Sequence, residues 1–362
     1  MRSVVSEIVN IHFGDDDPAW TQATLPVKSG GLGIRSAVQL APSAYLASAA
    51  ACSEMIAQIL PPQFKSTTLS HYQAEAVALW SGGHDTPPPE GTGQHHQKVW
   101  DSARVAATAD KLLEDAPDAR ARARLLAASA RESGVWLNAL PCSSLGLRMD
   151  DSTIRVAVGL RLGCALCKPH SCQHCGADVS ALATHGLSCK HSEGRHFRHS
   201  SLNDIVHRAL SAAKIPSRLE PAGVYRNDGK RPDGITMVPW ERGKLLVWDA
   251  TCSDTFAPSY LASATSEAGA VAAGAETRKK AKYSNLNPSH LFQPVAVETS
   301  GAFGPKTFSF IKELGRRISR VTGETRSLPF LLQRIAVAIQ RANSACVVGT
   351  IGKDFSTEDF FA

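Results

Sequence analysis

Two aspartates, Asp233 and Asp249, bracket a segment patterned as a β-hairpin. Ile235, Met237 and Val238 read as one strand and Leu245, Leu246, Val247 and Trp248 as the next, with Pro239 to Gly243 as the turn. A register symmetric about Glu241 sets the two carboxylates opposite one another. Directly opposed residues share a face with Cβ atoms about 5 Å apart, where like charges repel unless something intervenes. A divalent cation resolves that conflict, and hard oxygen ligands suit Mg²⁺ or Mn²⁺. Phosphate chemistry supported by such an ion is the first expectation. Glu220 on the preceding strand and Glu276, Lys279 and Lys282 on a following helix complete the combination. Ala268, Val271, Ala275, Lys279 and Lys282 fall on one side of that helix. A lysine on a packing face is costly unless its ammonium reaches water or an anion. Metal-bound phosphate would be such an anion; the helix C-terminal dipole is the bland alternative. Carboxylates that hold an ion and a lysine that orients water or offsets charge are the minimum apparatus for phosphodiester hydrolysis.

A second cluster lies upstream. Cys172, Cys175, His185 and Cys189 form a C-x2-C-x9-H-x3-C array, the spacing of a zinc site, with Gly176 and Gly186 for tight turns. A structural zinc contributes on the order of 10 kcal/mol to folding so small a unit. Cys164, Cys167, His170, His174 and His191 are also within reach in sequence, so the array leaves the full ligand set open. Arg195, His196, Arg198 and His199 follow directly. They either contact phosphates or cap and solvate the next helix.

The elements that must position these residues divide the chain unevenly. Its 362 residues, 43% hydrophobic, suffice for two or three domains. Helices dominate the chain ahead of the cysteines: Ser36 to Leu60, then Val99 to Glu114, Asp118 to Ala139 and Asp150 to Leu162, the last with Ser152 as its candidate cap. Gly82 to Gln97 has the glycine and proline density of a linker. Beyond the cysteines, Ser200 to Lys214 reads as a helix. Strands follow at Arg218 to Tyr225, Gly234 to Val238, Lys244 to Ala250 and Pro294 to Thr299. Helices are expected at Ser266 to Tyr283, Pro305 to Thr322 and Leu328 to Ala345. The expected fold is α+β and multidomain: helical regions at 1–81 and 98–163 joined by a linker at 82–97, a zinc knuckle at 164–199, an α/β unit at 200–346 with a mixed sheet flanked by helices, and a tail at 347–362.

Charge and cysteine usage narrow the class. Net charge is +6, and Lys190 to Arg231 holds nine bases against four acids. A basic stretch between two candidate metal sites, including Lys230 and Arg231, suits a phosphate backbone. Its bland reading is a solvated helix face. Nine cysteines, an odd number with five crowded together, favour metal binding over disulfides. An apolar run long enough to cross a membrane is absent, and Met1 to Gly14 lacks the form of a signal peptide.

The stretches CQHCGADVSALATHGLSC, GRHFRHSSLNDIVHRAL, KRPDG, LLVWDAT and ETRKKAKY, in this order, resemble the C-terminal part of a site-specific non-LTR retrotransposon polyprotein. Such elements carry a zinc knuckle followed by a restriction-like endonuclease of the PD-(D/E)XK superfamily. LPVKSGGLGIRSAVQLAPSAYLAS is similar to the segment after the reverse transcriptase, so the resemblance covers nearly the whole chain. It implies that Asp233 and Asp249 bind the catalytic metal and that Lys279 is the catalytic lysine, with Lys282 and Tyr283 completing the helix motif. Thr251 stands where ordinary restriction enzymes carry their lysine. Lys279, Lys280 and Lys282 are not separated by the motif. No Tyr-x-Asp-Asp polymerase motif is present, so the chain looks like a truncated element or gene fragment. The resemblance implies a Mg²⁺- or Mn²⁺-dependent nickase that also carries Zn²⁺. DNA is its expected partner, with the element's RNA as a second; no membrane is involved, and the location inferred from the substrate is nuclear. The alternative is a zinc-containing nucleic-acid binder whose nuclease fold has lost activity. A third reading is an unstable fragment whose N-terminal helices once packed on a polymerase.

Overall fold

The computed structural model of the chain describes residues 1–14, 17–61, 68–222, 231–286, 288–352 and 361. The N-terminal part is helical: α1 (Arg2–Val9), α2 (Pro18–Thr24), α3 (Ala37–Ile59), α4 (Thr68–Ser81), α5 (Gln97–Glu114), α6 (Ala119–Ser129) and α7 (Asp151–Leu162). Four of these begin on a side-chain cap: Asp17, Ser36, Asp118 and Asp150 each accept a backbone N–H from the first turn. Asp150 thus takes the capping role that the sequence assigned to Ser152. The helix expected to reach Ala139 stops at Ser129. Gly134 has to seat against Val27 and the Arg161 guanidinium with no room for a Cβ, and a single-turn 3₁₀ segment, Val135–Asn138, follows. Arg161 is buried and donates to the carbonyls of Gly31 (3.1 Å) and Val27 (2.8 Å), which fastens the Gly-rich loop before α3 onto α7. Burial lowers its pKa to about 10. Across the expected linker, Trp80 packs edge-on against Trp100 and donates to its carbonyl at 2.8 Å, so α4 and α5 share a core.

A small knuckle follows, made of the paired strands β1 (His170–Ser171) and β2 (Asp178–Val179) and the short helix α8 (His185–Ser188). The remaining elements are α9 (Glu193–Ala212), β3 (Ser217–Leu219), β4 (Gly234–Thr236), β5 (Leu245–Ser253), α10 (Leu261–Ala264), α11 (Ala270–Lys282), β6 (His290–Glu298), α12 (Pro305–Thr322) and α13 (Ser327–Val348). The fold is α+β. Its mixed sheet runs β3-β4-β5-β6, antiparallel at the first two pairings and parallel at the last. The parallel pair needs a crossover, and α10 and α11 provide it. The helix expected over 266–283 begins only at Ala270, because Gly269 before it adopts φ 80°, a left-handed conformation open to glycine.

Gly234 pairs with Trp248 and Ile235 with Val247, the register expected from the sequence; the pairing ends there, and the Asp233 N–H turns to the Trp248 carbonyl at 3.1 Å, which leaves Asp233 beside Asp249 where the strands part. The turn differs. Arg242 (φ 51°) and Gly243 (φ 74°) form a two-residue turn closed by Glu241 and Lys244. Thr236 to Trp240 on the outgoing arm therefore face only Leu245 and Leu246 on the return. The surplus bulges out, leaving Met237 exposed, while the Thr236 hydroxyl accepts the Leu246 N–H at 2.9 Å. On the other side, β3 ends at Leu219, short of the expected Tyr225, because Glu220 turns left-handed (φ 46°); residues 223–230 lie outside the described set.

Three apolar cores meet on one helix. Leu331, Ile335 and Ile339 of α13 pack with α9, β5, β6 and α12. Ala336 and Val337 pack with α7 and the N-terminal segment, and Cys346 and Val347 pack with the knuckle. At the sheet, Gly234 lies flat on the Trp248 indole, and a Cβ there would penetrate the ring. Gly234→Ala is expected to destabilise the protein by about 1–3 kcal/mol, read as a lowered unfolding midpoint in denaturant.

Candidate metal centres

The knuckle brings Cys172, Cys175, His185 and Cys189 together, with one ligand atom from each within 4.8 Å of all the others. Cys172 Sγ and Cys189 Sγ are 4.0 Å apart, Cys175 Sγ and Cys189 Sγ 3.8 Å, and Cys175 Sγ and His185 Nε2 3.3 Å. Tetrahedral zinc at ordinary bond lengths requires edges of about 3.8 Å between sulfurs and about 3.6 Å between sulfur and nitrogen. The set fits such an ion. Three of the neighbours left open by the spacing, Cys164, Cys167 and His170, are engaged elsewhere. Burial pushes the Cys164 and Cys167 thiols up to about 12 and about 11, and Cys167 turns to the Ser180 and Ala181 carbonyls. His170 bridges the Lys168 carbonyl and the Thr350 hydroxyl.

The second centre stands where β4 and β5 separate. Side chains alternate along β5, so Trp248 and Asp249 face opposite sides of the sheet. Trp248 points to α9, where its indole donates to Asn203 at 3.1 Å. Asp249 points to α11, where Lys279 Nζ donates to its Oδ1 at 2.7 Å. Asp233 Oδ2 accepts the Ala250 N–H at 2.6 Å and lies 3.0 Å from His199 Nε2 on α9. His199, Asp233 and Asp249 each offer a ligand atom within 4.8 Å of the others. The pair is coupled through its surroundings. Burial, with the neighbouring Asp233 charge, holds the Asp249 carboxyl above its ordinary range despite Lys279 and a hydrogen bond from Tyr283. Burial also acts on Asp233, but the His199 hydrogen bond and charge and the Ala250 N–H outweigh it and bring its pKa down. The Asp233 contact in turn raises His199. Two like charges side by side at a mostly buried site, with a nitrogen donor at their rim, are the donor set a divalent cation relieves.

Lys279 is thereby singled out from the three lysines the motif left together: Lys280 and Lys282 are exposed. Tyr283 is buried and stacks on Phe292 at 4.3 Å. Glu220 does not join the centre. Its carboxylate is exposed and pairs with Arg231, while its backbone N–H donates to the Asp233 carbonyl at 2.8 Å. Glu276 is buried in another role, accepting the Thr307 N–H and hydroxyl, each at 2.7 Å, at the start of α12. Of the bases assigned to phosphates, Arg195 and His196 are exposed on the first turns of α9. Arg198 is not presented to solvent. It is 4% exposed and donates to Asn343 Oδ1 on α13 (2.7 Å) and to the Leu187 carbonyl of the knuckle (2.8 Å). Lys230 lies outside the described residues.

His199 is the member of this cluster that the sequence reading did not place beside the acids. A signal existed: His199 and Asn203 extend the stripe of Leu202, Val206 and Leu210, so two polar groups sit on an inward face. The chain matches no known family model and no curated protein.

Purified protein is expected to carry one equivalent of zinc by elemental analysis, and Cys172→Ser to lose it with a lower unfolding midpoint. At the second centre His199 and Asp249 both retain protons to higher pH than usual, and a cation competes with those protons. Mn²⁺ affinity is expected to rise with pH and to level off only above the ordinary histidine range, because the Asp233 contact holds the His199 proton, measured by titration of free Mn²⁺ at constant protein; a flat profile contradicts the proton competition.

Proposed function

We propose that the protein is a metal-dependent DNA endonuclease of the restriction-like kind, derived from a site-specific non-LTR retrotransposon, with a zinc knuckle beside its active site. The observation that carries this reading is the convergence, at the mouth of a mixed sheet, of the two aspartates that the resemblance assigns to the metal with Lys279, one of the three lysines it leaves together. Asp233 and Asp249 would hold Mg²⁺ or Mn²⁺, which when bound supplies an activated water and a polarised phosphate.

The chain's own groups supply the rest. Lys279 lies against Asp249 Oδ1 with its side chain 21% exposed, close enough to the opening to meet a phosphate oxygen and to balance charge that builds there. Trp248 beneath Gly234, together with the Ala250 N–H on Asp233, keeps the acid pair from turning away. Arg195 and His196, exposed next to the centre on α9, fit the backbone of a DNA strand. RNA of the parent element would be a second partner of the same basic surface, and the substrate places the activity in the nucleus. Zinc in the knuckle would hold α8 and the start of α9, and so the helix that carries these bases.

The test is nicking of supercoiled plasmid in Mg²⁺ and in Mn²⁺. Wild-type protein is expected to cut, and Asp233→Ala, Asp249→Ala and Lys279→Ala each to lower the rate at least about 100-fold with DNA binding retained. A wild type that binds DNA yet cuts with neither ion overturns the enzyme reading in favour of a binding relic.

A further inference from the structure

We infer that His199 is an inner ligand of the metal held by Asp233 and Asp249, and that its imidazole makes this centre select Mn²⁺ or a similar transition ion over Mg²⁺. The inference rests on the nuclease reading of the site and adds to it the identity of the ion.

The geometry is the first support. Adjacent ligands of an octahedral ion at about 2.1 Å stand about 3.0 Å apart. His199 Nε2 and Asp233 Oδ2 are 3.0 Å apart, and Asp249 contributes a ligand atom within 4.8 Å of both. The same nitrogen therefore sits where it can share an ion with the carboxylates. The imidazole is aimed by its own helix: Nδ1 lies 3.5 Å from the Asn203 amide nitrogen, and Asn203 is itself held by the Trp248 indole. The contact fixes the plane of the ring, with Nε2 toward the acids.

Helix α9 is also held in place from behind. Arg198, next to His199, is bonded to both α13 and the knuckle, so the imidazole is carried by a fixed backbone. With its side chain 45% exposed, His199 forms the open rim of the centre, while Asp249 forms its floor at 7%.

Donor chemistry decides the ion. An all-oxygen site suits Mg²⁺, which gains little from imidazole nitrogen and sheds water reluctantly. First-row transition ions gain from nitrogen in the order of their increasing affinity for such ligands. Replacing one oxygen by Nε2 therefore raises Mn²⁺ affinity and leaves Mg²⁺ affinity nearly unchanged. Two aspartates alone accept either ion, and the added nitrogen is what favours Mn²⁺ over Mg²⁺.

Mn²⁺ binding to the zinc-loaded full chain, followed by electron paramagnetic resonance with Mg²⁺ as competitor, tests this without an activity assay. Wild type is expected to bind Mn²⁺ at a site abolished by Asp249→Ala, to need at least about tenfold more Mg²⁺ for displacement, and to show nitrogen modulation of the Mn²⁺ echo. His199→Ala should lose that modulation and at least about tenfold in Mn²⁺ affinity, while His199→Asp, an oxygen donor, should bind both ions with the preference for Mn²⁺ gone. A gain of Mg²⁺ binding in His199→Asp is not produced by misfolding. Mn²⁺ bound through Asp249 with no nitrogen modulation and unchanged affinity in His199→Ala overturns the inference and leaves the nuclease reading standing. Mn²⁺ binding indifferent to Asp249→Ala overturns both.

Discussion

Two carboxylates that repel each other, mostly withdrawn from water at the parting of two strands, are the constraint around which this molecule is arranged. Such a pair is unstable by itself. The protein answers with counter-charges and donors from three directions: Lys279 from α11, His199 from α9 and the Ala250 N–H from the strand itself. Each must come from a different element, because no single element can surround two opposed side chains. The sheet therefore needs a helix near each face at this point. That requirement accounts for the position of α11 in the crossover between β5 and β6, and for α9 lying against Trp248 on the other side.

The second organising element is α13. It contributes to the sheet core, to the core of the N-terminal helices and to the core of the knuckle, so the three regions share one support. Close packing at its end is made possible by absent side chains: Gly186 and Gly194 both lie against Cys346 with no space for a Cβ. Arg198 adds a polar tie at the same junction, joining Leu187 in the knuckle to Asn343 on α13. A buried guanidinium is tolerated there because oxygen acceptors meet it. The helix bearing His199 is thus held between the cysteine cluster and the core rather than standing free. In the proposed nuclease, zinc would act on the catalytic centre through this helix, by fixing where α9 begins.

The two centres differ in chemistry as well as in place. Three thiols and an imidazole form a compact, closed set suited to a structural ion, with S···S edges close to those of a tetrahedron. Two carboxylates and an imidazole form an incomplete set, with one rim open to solvent, as an ion that must also meet a substrate requires.

Much of this was legible in the residues themselves. The spacing of Cys172, Cys175, His185 and Cys189 placed the knuckle, because ligand pairs on short loops can close only on a nearby partner. Alternation around Asp233 and Asp249 placed them opposite one another, because period-two geometry leaves few registers once the flanking apolar residues are assigned to a face. Helical stretches such as 305–322 followed from amphipathic periodicity. The place of His199 beside the acids, the inward course of Arg198, the diversion of Glu220 to Arg231 and of Glu276 to the start of α12, and the choice of Lys279 over its neighbours as the partner of Asp249 were decided only by tertiary structure. Local pattern states which residues share a strand or a helix face. Which of several similar polar groups meets which partner depends on how elements far apart in sequence are stacked, and here that was set by the packing of α9 and α11 about one sheet.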